Sequence, residues 1–373
     1  MKRKLWLLLM VLNGLILFTS YPKAEAYVGL CCAHCGGNMP MNITGGGVPE
    51  THEFRVKIGQ SFMRMGPLQD GTDQINDGDL LGMPSAGKSA AIPTSMDMYM
   101  TMASVAYSFT DDFAAMIMSS YRRNDMPMKF NSGLTSSTGR NGFTMKSDGI
   151  GDTKLLGKYR IFADDNLAPR RQVSALFGMS IPTGSTDETF DNHPVAAQNG
   201  TILPFKMQLG SGTVDPIIGL TYQGSMDPWW YGLNAIYTGR FYDNDEGYHQ
   251  GDQVFIDAYG MYQFHPRALV QVQLNGSYEG TYSDEPDQGK IDGEGHAMFN
   301  PNGTFLSPLF DPDNYGGTKL STSFGFQYQP FPLHIIDLTA TVPLYQNLRG
   351  PQLRDDWKIM FTYYVEIPTK KSR

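Results

Sequence analysis

The chain has 373 residues, of which 29 are Lys or Arg and 37 are Asp or Glu, so its formal net charge is −8 at pH 7. This acidic balance argues against nucleic acid as a partner, because phosphate binding needs concentrated positive charge. Beyond the N-terminus no apolar run approaches the roughly 20 residues that a helix needs to cross a bilayer. The 12% share of aromatic residues and the 41 glycines favour β structure instead.

The N-terminus has the organisation of a secretory signal. Basic residues at positions 2–4 precede an apolar core over 5–18, and Ala24-Glu25-Ala26 places small residues at a cleavage site. The core is too short for a membrane anchor. We therefore predict that residues 1–26 are a signal peptide and that the mature chain starts at Tyr27 and is exported.

Residues 27–52 are glycine-rich, lack periodicity and hold all three cysteines, so we expect an irregular segment on the periplasmic side. Thiolate, imidazole and thioether groups together can hold copper or zinc. The candidate ligands are Cys31, Cys32, His34, Cys35, Met39 and Met41. The alternative is oxidation, in which two of the three cysteines form a disulfide in the periplasm.

The next part of the chain alternates with a period of two, which is typical of strands. It predicts a first strand near 53–65, a loop over 66–95, and a hairpin whose strands run near 96–109 and 113–128. Aromatic and aliphatic residues occupy one face of this hairpin, and methionine occupies much of the other. Each strand exceeds the usual length of about 5–6 residues in globular proteins.

Further strands follow at regular intervals, with short and long connections alternating and both chain ends on the short-turn side. They are predicted near 151–163, 172–184, 210–223, 229–242, 253–264, 268–282, 318–329, 334–345 and 356–367. The total is about twelve. An even number of strands, with short turns at one end and long loops at the other, is typical of outer-membrane barrels.

Three strands carry a continuous apolar face that is suited to lipid. The faces comprise Trp229, Tyr231, Leu233, Ala235, Tyr237 and Phe241; Ile336, Leu338, Ala340, Val342 and Leu344; and Trp357, Ile359, Phe361, Tyr363 and Val365. We predict an all-β fold, a transmembrane antiparallel β-barrel of about 12 strands over 53–367, followed by a tail over 368–373. The expected location is the outer membrane of a Gram-negative bacterium. The alternative is a soluble β-sandwich or propeller, although no blade-length repeat is present.

Four short motifs follow one another along the predicted barrel. They are Gly149-Ile150-Gly151-Asp152, Lys158-Tyr159-Arg160, Ile181-Pro182-Thr183-Gly184 and Gly210-Ser211-Gly212-Thr213-Val214-Asp215. In this order they resemble the outer-membrane "MetA-pathway of phenol degradation" transporter family, over roughly 55–367. The resemblance implies an outer-membrane transporter barrel, with aromatic compounds as cargo in the founding context. The chain departs from the expected pattern in its cysteine-rich head and in its non-aromatic C-terminus.

The inward parity of the strands gives the candidate lining of the lumen. We predict that cargo contacts Met63, Met65, Met96, Met98, Met100, Met102, Met116, Met118, Arg122, Lys154, Lys158 and Arg160. Methionine thioethers are soft ligands that favour Cu(I), and they are also flexible apolar groups that adapt to varied surfaces. Packing beneath the long loops, contact with cargo and contact with a soft metal all remain open. At about twelve strands, a restricted channel and a closed interior are both compatible with the sequence.

These features lead to two functional hypotheses. The first is a channel that passes small, hydrophobic or aromatic compounds, with outer-membrane lipid and lipopolysaccharide as its other partners. The second is a soft-metal binding or tolerance protein of the copper type. No GxSxG, HExxH or Walker motif is present, and we do not expect an enzyme. No cofactor is certain, and copper or zinc would be the candidates.

Overall fold

The computed structural model describes residues 39–44, 51–83, 86–165, 169–284 and 306–372. The predicted signal peptide and the candidate ligands Cys31, Cys32, His34 and Cys35 lie outside the described residues. In the described ranges no helix is long and apolar enough to cross a membrane.

Strands make up most of the described chain. In those ranges the strands are β1 (Glu53–Gly71), β2 (Asp73–Gln74), β3 (Ala91–Pro93), β4 (Met96–Ser108), β5 (Phe113–Phe130), β6 (Gly142–Ile150), β7 (Thr153–Ala163), β8 (Arg171–Ile181), β9 (Asp215–Met226), β10 (Trp229–Thr238), β11 (Tyr248–His249), β12 (Gln253–His265), β13 (Ala268–Glu279), β14 (Ser283–Asp284), β15 (Gly317–Phe331) and β16 (His334–Pro368). The long loops contain the helices α1 (Asp77–Leu80) and α2 (Ser132–Thr138), with 3₁₀ turns at Ala196–Gln198, Phe205–Met207, Pro308–Phe310 and Pro312–Asn314.

The long strands close into one antiparallel ring. Around it, neighbouring strands are β1, β4, β5, β7, β8, β9, β10, β12, β13, β15 and β16, and β16 returns to pair with β1. Above β7, β6 continues the same wall and pairs with the outer half of β5. Because the ring is closed, no strand edge is left with unpaired backbone groups in the bilayer.

The last strand, β16, crosses the wall twice. Its first leg pairs with β15 up to Leu348, which lies opposite Gly317. Its second leg descends from the same residue beside β1, where Leu348 lies opposite Gly71. Gly350 adopts φ +65° at the reversal, a conformation that glycine reaches without strain. A closed antiparallel ring needs an even number of crossings, and with two legs in β16 the wall has twelve, as predicted.

Some predicted boundaries differ from the structure. The connection expected between residues 345 and 356 is only a tight reversal. Both legs of β16 stay paired with their neighbouring strands up to this reversal, at the extracellular end of the barrel. The strand expected from 210 begins at Asp215, and the one expected to 242 ends at Thr238. Residues 210–214 and 239–242 leave the ladder because they make a compact loop corner at the barrel mouth.

The outer surface of the ring is apolar and the inner surface is mixed. On β10, Trp229, Tyr231 and Leu233 are exposed, while the alternate residues Trp230 and Asn234 are buried. The same alternation occurs on both legs of β16, so the three predicted lipid faces are confirmed within the strands, whereas Phe241 lies beyond the end of β10. The short turns and the first and last residues of the barrel wall lie at the same side of the membrane, which is the periplasmic side in such barrels.

Candidate functional site in the barrel interior

The predicted lining residues lie on the inner face of the wall. Register places Met63 opposite Met98, and it places Met118 opposite Lys154. Directly opposed residues on neighbouring strands share a face. The remaining predicted positions follow the same parity, namely Met65, Met96, Met100, Met102, Met116, Arg122, Lys158 and Arg160.

The extracellular mouth is closed by an apolar cluster beneath the long loops. Loop residues Phe190, Leu203 and Leu309 pack there against the wall residue Met96, which is only 2% exposed. Met65 and Met98 pack against the edge of the same cluster. These three methionines therefore act as packing under the loops.

The loop histidine His193 belongs to the same cap. Its ring packs edge-on against Phe143 and Phe190, with centroids 4.5 and 5.3 Å away. This burial lowers the pKa of the His193 imidazole, which favours the neutral ring. A neutral imidazole among aromatic rings is consistent with a cap that excludes water.

An aromatic cluster closes the other side of the mouth. Phe205 packs edge-on against Tyr248, Tyr282 and Tyr315. The neighbouring Lys206 places its ammonium 5.4 Å from the Tyr282 ring and donates to Glu279 at 3.0 Å. Together the two clusters cover the extracellular end with residues of the long loops that pack against the strands.

Residues 39–44 occupy the periplasmic end of the lumen, and we call them the plug. Met39, Met41 and Ile43 are almost fully buried. They pack against inward residues from several strands, namely Trp230, Tyr259, Met261, Leu269, Ile335 and Tyr364. The segment was expected to be irregular and periplasmic; residues 39–44 form no helix or strand, as expected, but they lie inside the barrel.

Polar contacts hold the plug in place. The side-chain amides of Asn42 and Gln273 donate to each other at 3.0 and 2.9 Å. Lys57 donates to the Met41 carbonyl at 3.1 Å, and the Lys158 ammonium lies 3.9 Å from the Met39 sulfur. Lys158, predicted to contact cargo, therefore contacts the plug.

Between the plug and the loops, inward side chains remain partly accessible, and we call this region the chamber. One side is formed by Met63, Met100, Met102 and Met118, which we call the methionine panel. Across it, Phe255 is 41% exposed, although register with Ile236 and Ser277 places its ring on the inner face. Among the described strands, Phe255 is the one large apolar inward residue that is this exposed.

Several interior cations are bound by groups of the protein itself. Arg160 pairs with Asp112 in a periplasmic turn at 2.7 Å, and Lys319 pairs with Asp355 at 2.9 Å. Arg122 donates to the carbonyl oxygen of Leu209 rather than to an acid. The predicted residues Arg122 and Arg160 thus anchor a loop and a turn.

The sequence did not single out Phe255, Asp257 or Lys358 as lumen residues. On β12 the polar residues Gln253 and Asp257 share the inner parity with Phe255, but the other apolar residues on that face weaken the alternation. Lys358 offered a signal, because a lone lysine between Trp357 and Ile359 must point away from lipid.

Three of the four sequence motifs meet at one corner of the mouth. The Asp152 carboxylate accepts from the backbone N–H of Gly184 at 3.1 Å and of Ser211 at 2.8 Å. At the other end of the corner, Asp215 accepts from Arg240 at 3.2 Å. The Lys158-Tyr159-Arg160 motif lies apart, lower on β7, between the plug and the turn at Asp112.

Several solved structures are similar to this chain, and the first of them supports the fold. An outer membrane channel from Pseudomonas putida F1 is 10% identical, covers 85% of this chain and 96% of its own, and has a TM-score of 0.52. NanC porin is 10% identical with a TM-score of 0.42, over 83% of this chain and 100% of its own. A TodX mutant, a monoaromatic hydrocarbon channel, is 7% identical with a TM-score of 0.41, over 84% of this chain and 90% of its own.

The barrel and its apolar outer face place the protein in the outer membrane of a Gram-negative cell, as predicted. No curated protein is similar enough to count as a relative. The profile of the family described as MetA-pathway of phenol degradation matches residues 84–308. That range includes the motifs that form the mouth corner, and it is more than half of the chain. The chain therefore belongs to the MetA-pathway of phenol degradation family.

Proposed function

We propose that the protein is an outer-membrane channel through which small hydrophobic or aromatic compounds diffuse, without covalent chemistry. The observation that carries this proposal is the accessible Phe255 ring, which faces the methionine panel across the chamber. The name of one structural neighbour, a monoaromatic hydrocarbon channel, describes cargo of the same class.

The chamber suits a small apolar solute for two reasons. Binding sites for such molecules are concave and apolar, with a few polar groups that fix orientation. A phenyl ring can stack on Phe255, and methionine sulfur makes favourable contacts at the edges of aromatic rings. Met63, Met100, Met102 and Met118 are the cargo contacts that we propose, and Met116 packs beside them against Leu156.

The route through the barrel is blocked at both ends by parts that are not wall strands. At the periplasmic end the obstruction is the plug, and at the mouth it is the loop clusters. Displacing either one breaks no backbone pairing within the ring. We therefore propose that passage requires movement of the plug and of the loops, while the wall stays intact.

The outer surface defines the remaining partners. Its apolar band faces lipid, and the acidic loop around α1 faces the lipopolysaccharide side. One of its acids, Asp77, already pairs with Lys129 at 2.6 Å. We propose that the other acids of this loop bind the divalent cations that bridge lipopolysaccharide.

The test uses planar bilayers containing the mature protein and measures block of the ion current by benzamide. We expect benzamide to block more strongly than isobutyramide, which lacks the ring. Phe255→Ala should weaken the block about fivefold, the value of one aromatic contact. The matched control Ile256→Ala, which alters the adjacent lipid-facing residue, should leave the block unchanged. Absence of any channel current, with or without the plug, would overturn the proposal.

Soft-metal binding is the second candidate, because the panel brings several thioethers to one wall. At the plug this function is disfavoured, since the Lys158 ammonium lies 3.9 Å from the Met39 sulfur and would repel a metal cation. Met41 is also enclosed by apolar side chains. Current measured with Cu(I) under reducing conditions tests the panel, and block that is lost in a Met100→Leu, Met102→Leu variant would support it.

A further inference from the structure

Two lysines flank the methionine panel. Lys358 lies opposite Met63 on one side, and Lys154 lies opposite Met118 on the other. Both side chains point inward and remain partly accessible. In the part of the chain that the structure describes, neither makes an ion pair with a carboxylate, unlike Arg160, Lys206, Arg240 and Lys319.

The acids nearest to these lysines are already engaged by other groups. On the Lys154 side, Asp152 accepts two backbone N–H groups and Asp215 accepts from Arg240. On the Lys358 side, Asp355 is bound by Lys319 at 2.9 Å.

Asp257, the further acid on that side, accepts from the amides of Asn234 and Asn275 at 3.3 and 2.7 Å. The ammonium groups of the two lysines are therefore available to donate hydrogen bonds to an anion.

The two lysines and Phe255 lie at similar heights. Lys57 is near the periplasmic start of β1, whereas Lys154, in the same hydrogen-bonded row, is near the outer start of β7. Because the strands are tilted, a row of paired residues rises toward the extracellular end as it passes around the barrel, by roughly 3 Å for each strand crossed. The climb raises Lys154 to about the level of Lys358, which is midway along its leg.

The row of paired residues that contains Lys158 rises in the same way from strand to strand and reaches Phe255. In a ring of twelve crossings β4 is the second and β12 the eighth, so Phe255 faces the panel directly.

We propose that the chamber selects small aromatic carboxylates, with the ring held between Phe255 and the methionine panel and the carboxylate bound by Lys154 or Lys358. This inference rests on the proposed channel function and names its substrate class. A charged ammonium in a confined site is stabilised by an anion that accepts its hydrogen bonds. A neutral hydrocarbon would satisfy the apolar surface and leave both lysines uncompensated.

The experiment compares benzoate with benzamide, which share ring and shape and differ in charge. Binding to the full mature chain is measured by calorimetry in detergent. We expect benzoate to bind at least about tenfold more tightly than benzamide, and also more tightly than acetate. The double variant Lys154→Met, Lys358→Met should lose the preference for benzoate and keep benzamide binding. Lys146→Met, the same change at an exposed position on β6, should behave as wild type.

The outcomes separate the two proposals. Equal affinity for benzoate and benzamide in the wild type, or a preference that survives in the double variant, overturns this inference while benzamide block can still support the channel. If neither compound binds and no current is seen, both proposals fail. Should the double variant not fold, Lys154→Arg with Lys358→Arg keeps the charges and must retain the preference, and its loss there would also contradict the inference.

Discussion

Gly210 lies where two loop segments touch at the backbone. A Cβ at this position would collide with the Gly184 carbonyl and would lie 2.6 Å from the Asp152 carboxylate. Only a residue without a side chain lets the loop after β8 return against its own start. The glycine therefore permits the hydrogen bonds from Gly184 and Ser211 to Asp152 that fix the mouth corner.

We expect Gly210→Ala to destabilise the protein by about 1–3 kcal/mol, because backbone atoms must move to admit the methyl group. The matched control is Gly276→Ala on β13, where the nearest atom is 3.6 Å from the added carbon. The control should change stability little. Urea-dependent unfolding in detergent measures both, and equal effects of the two substitutions would contradict the role assigned to Gly210.

The plug is the element on which passage depends. Its contacts join residues far apart in sequence, since Asn42 and its partner Gln273 are separated by 231 positions. The plug buries three apolar side chains, but it is six residues long and forms no backbone ladder with the wall. A short segment held in this way can leave while the barrel stays folded.

Deleting residues 27–44 should increase single-channel conductance severalfold, because the periplasmic end of the lumen loses its contents. Deleting only residues 27–38 is the control, and it should leave conductance near that of the full mature chain. Asn42→Leu should raise the frequency of openings, because the Gln273 amide then lacks its buried partner. Identical conductance in the two deletions would exclude the plug as the obstruction.

At the scale of the whole molecule, a buried ion pair joins the first and the last strand of the barrel. Arg55 on β1 and Glu366 on the second leg of β16 lie directly opposite each other and pair across the closing seam. The Arg55 guanidinium also lies over the Tyr364 ring at 4.4 Å. The pair is almost fully buried, so neither charge can be left alone at low cost.

Arg55→Met should therefore destabilise the barrel by about 3–5 kcal/mol, because it leaves an uncompensated carboxylate in the interior. Adding Glu366→Met should recover most of that loss. Arg123→Met, which removes an exposed pair with Asp125, should cost less than about 1 kcal/mol. Unfolding midpoints in urea measure the set, and a double variant no more stable than Arg55→Met would contradict this assignment.

The wall could be predicted from sequence because lipid demands an apolar residue at every second position. The outward Trp229, Tyr231 and Leu233 are one such set, and the strand count followed from the same alternation. The reversal at Gly350 was harder to place, since Asn347, Arg349 and Gln352 around it are polar and resemble a loop. In the structure those residues stay within paired strands above the lipid.

The inner face was predicted in part. Parity alone put the methionines and Lys154 inside, and register agrees. Which of them pack and which line a chamber depends on how the loops fold inward. Met96 is buried under Phe190 and Leu309, residues about 90 and 210 positions away, and no local pattern reports such contacts.

The sequence by itself predicted a signal for export and determined the barrel wall, its lipid face and the family, because each of these depends on local composition, on a period of two or on short motifs. Only the tertiary structure decided what fills the lumen. The plug, the loop cap and the position of Phe255 opposite the panel arise from contacts between distant segments. Lumen residues need only be compatible with one another, whereas lipid-facing residues must all be compatible with the same apolar solvent. The sequence therefore predicts the wall more directly than it predicts what fills the lumen.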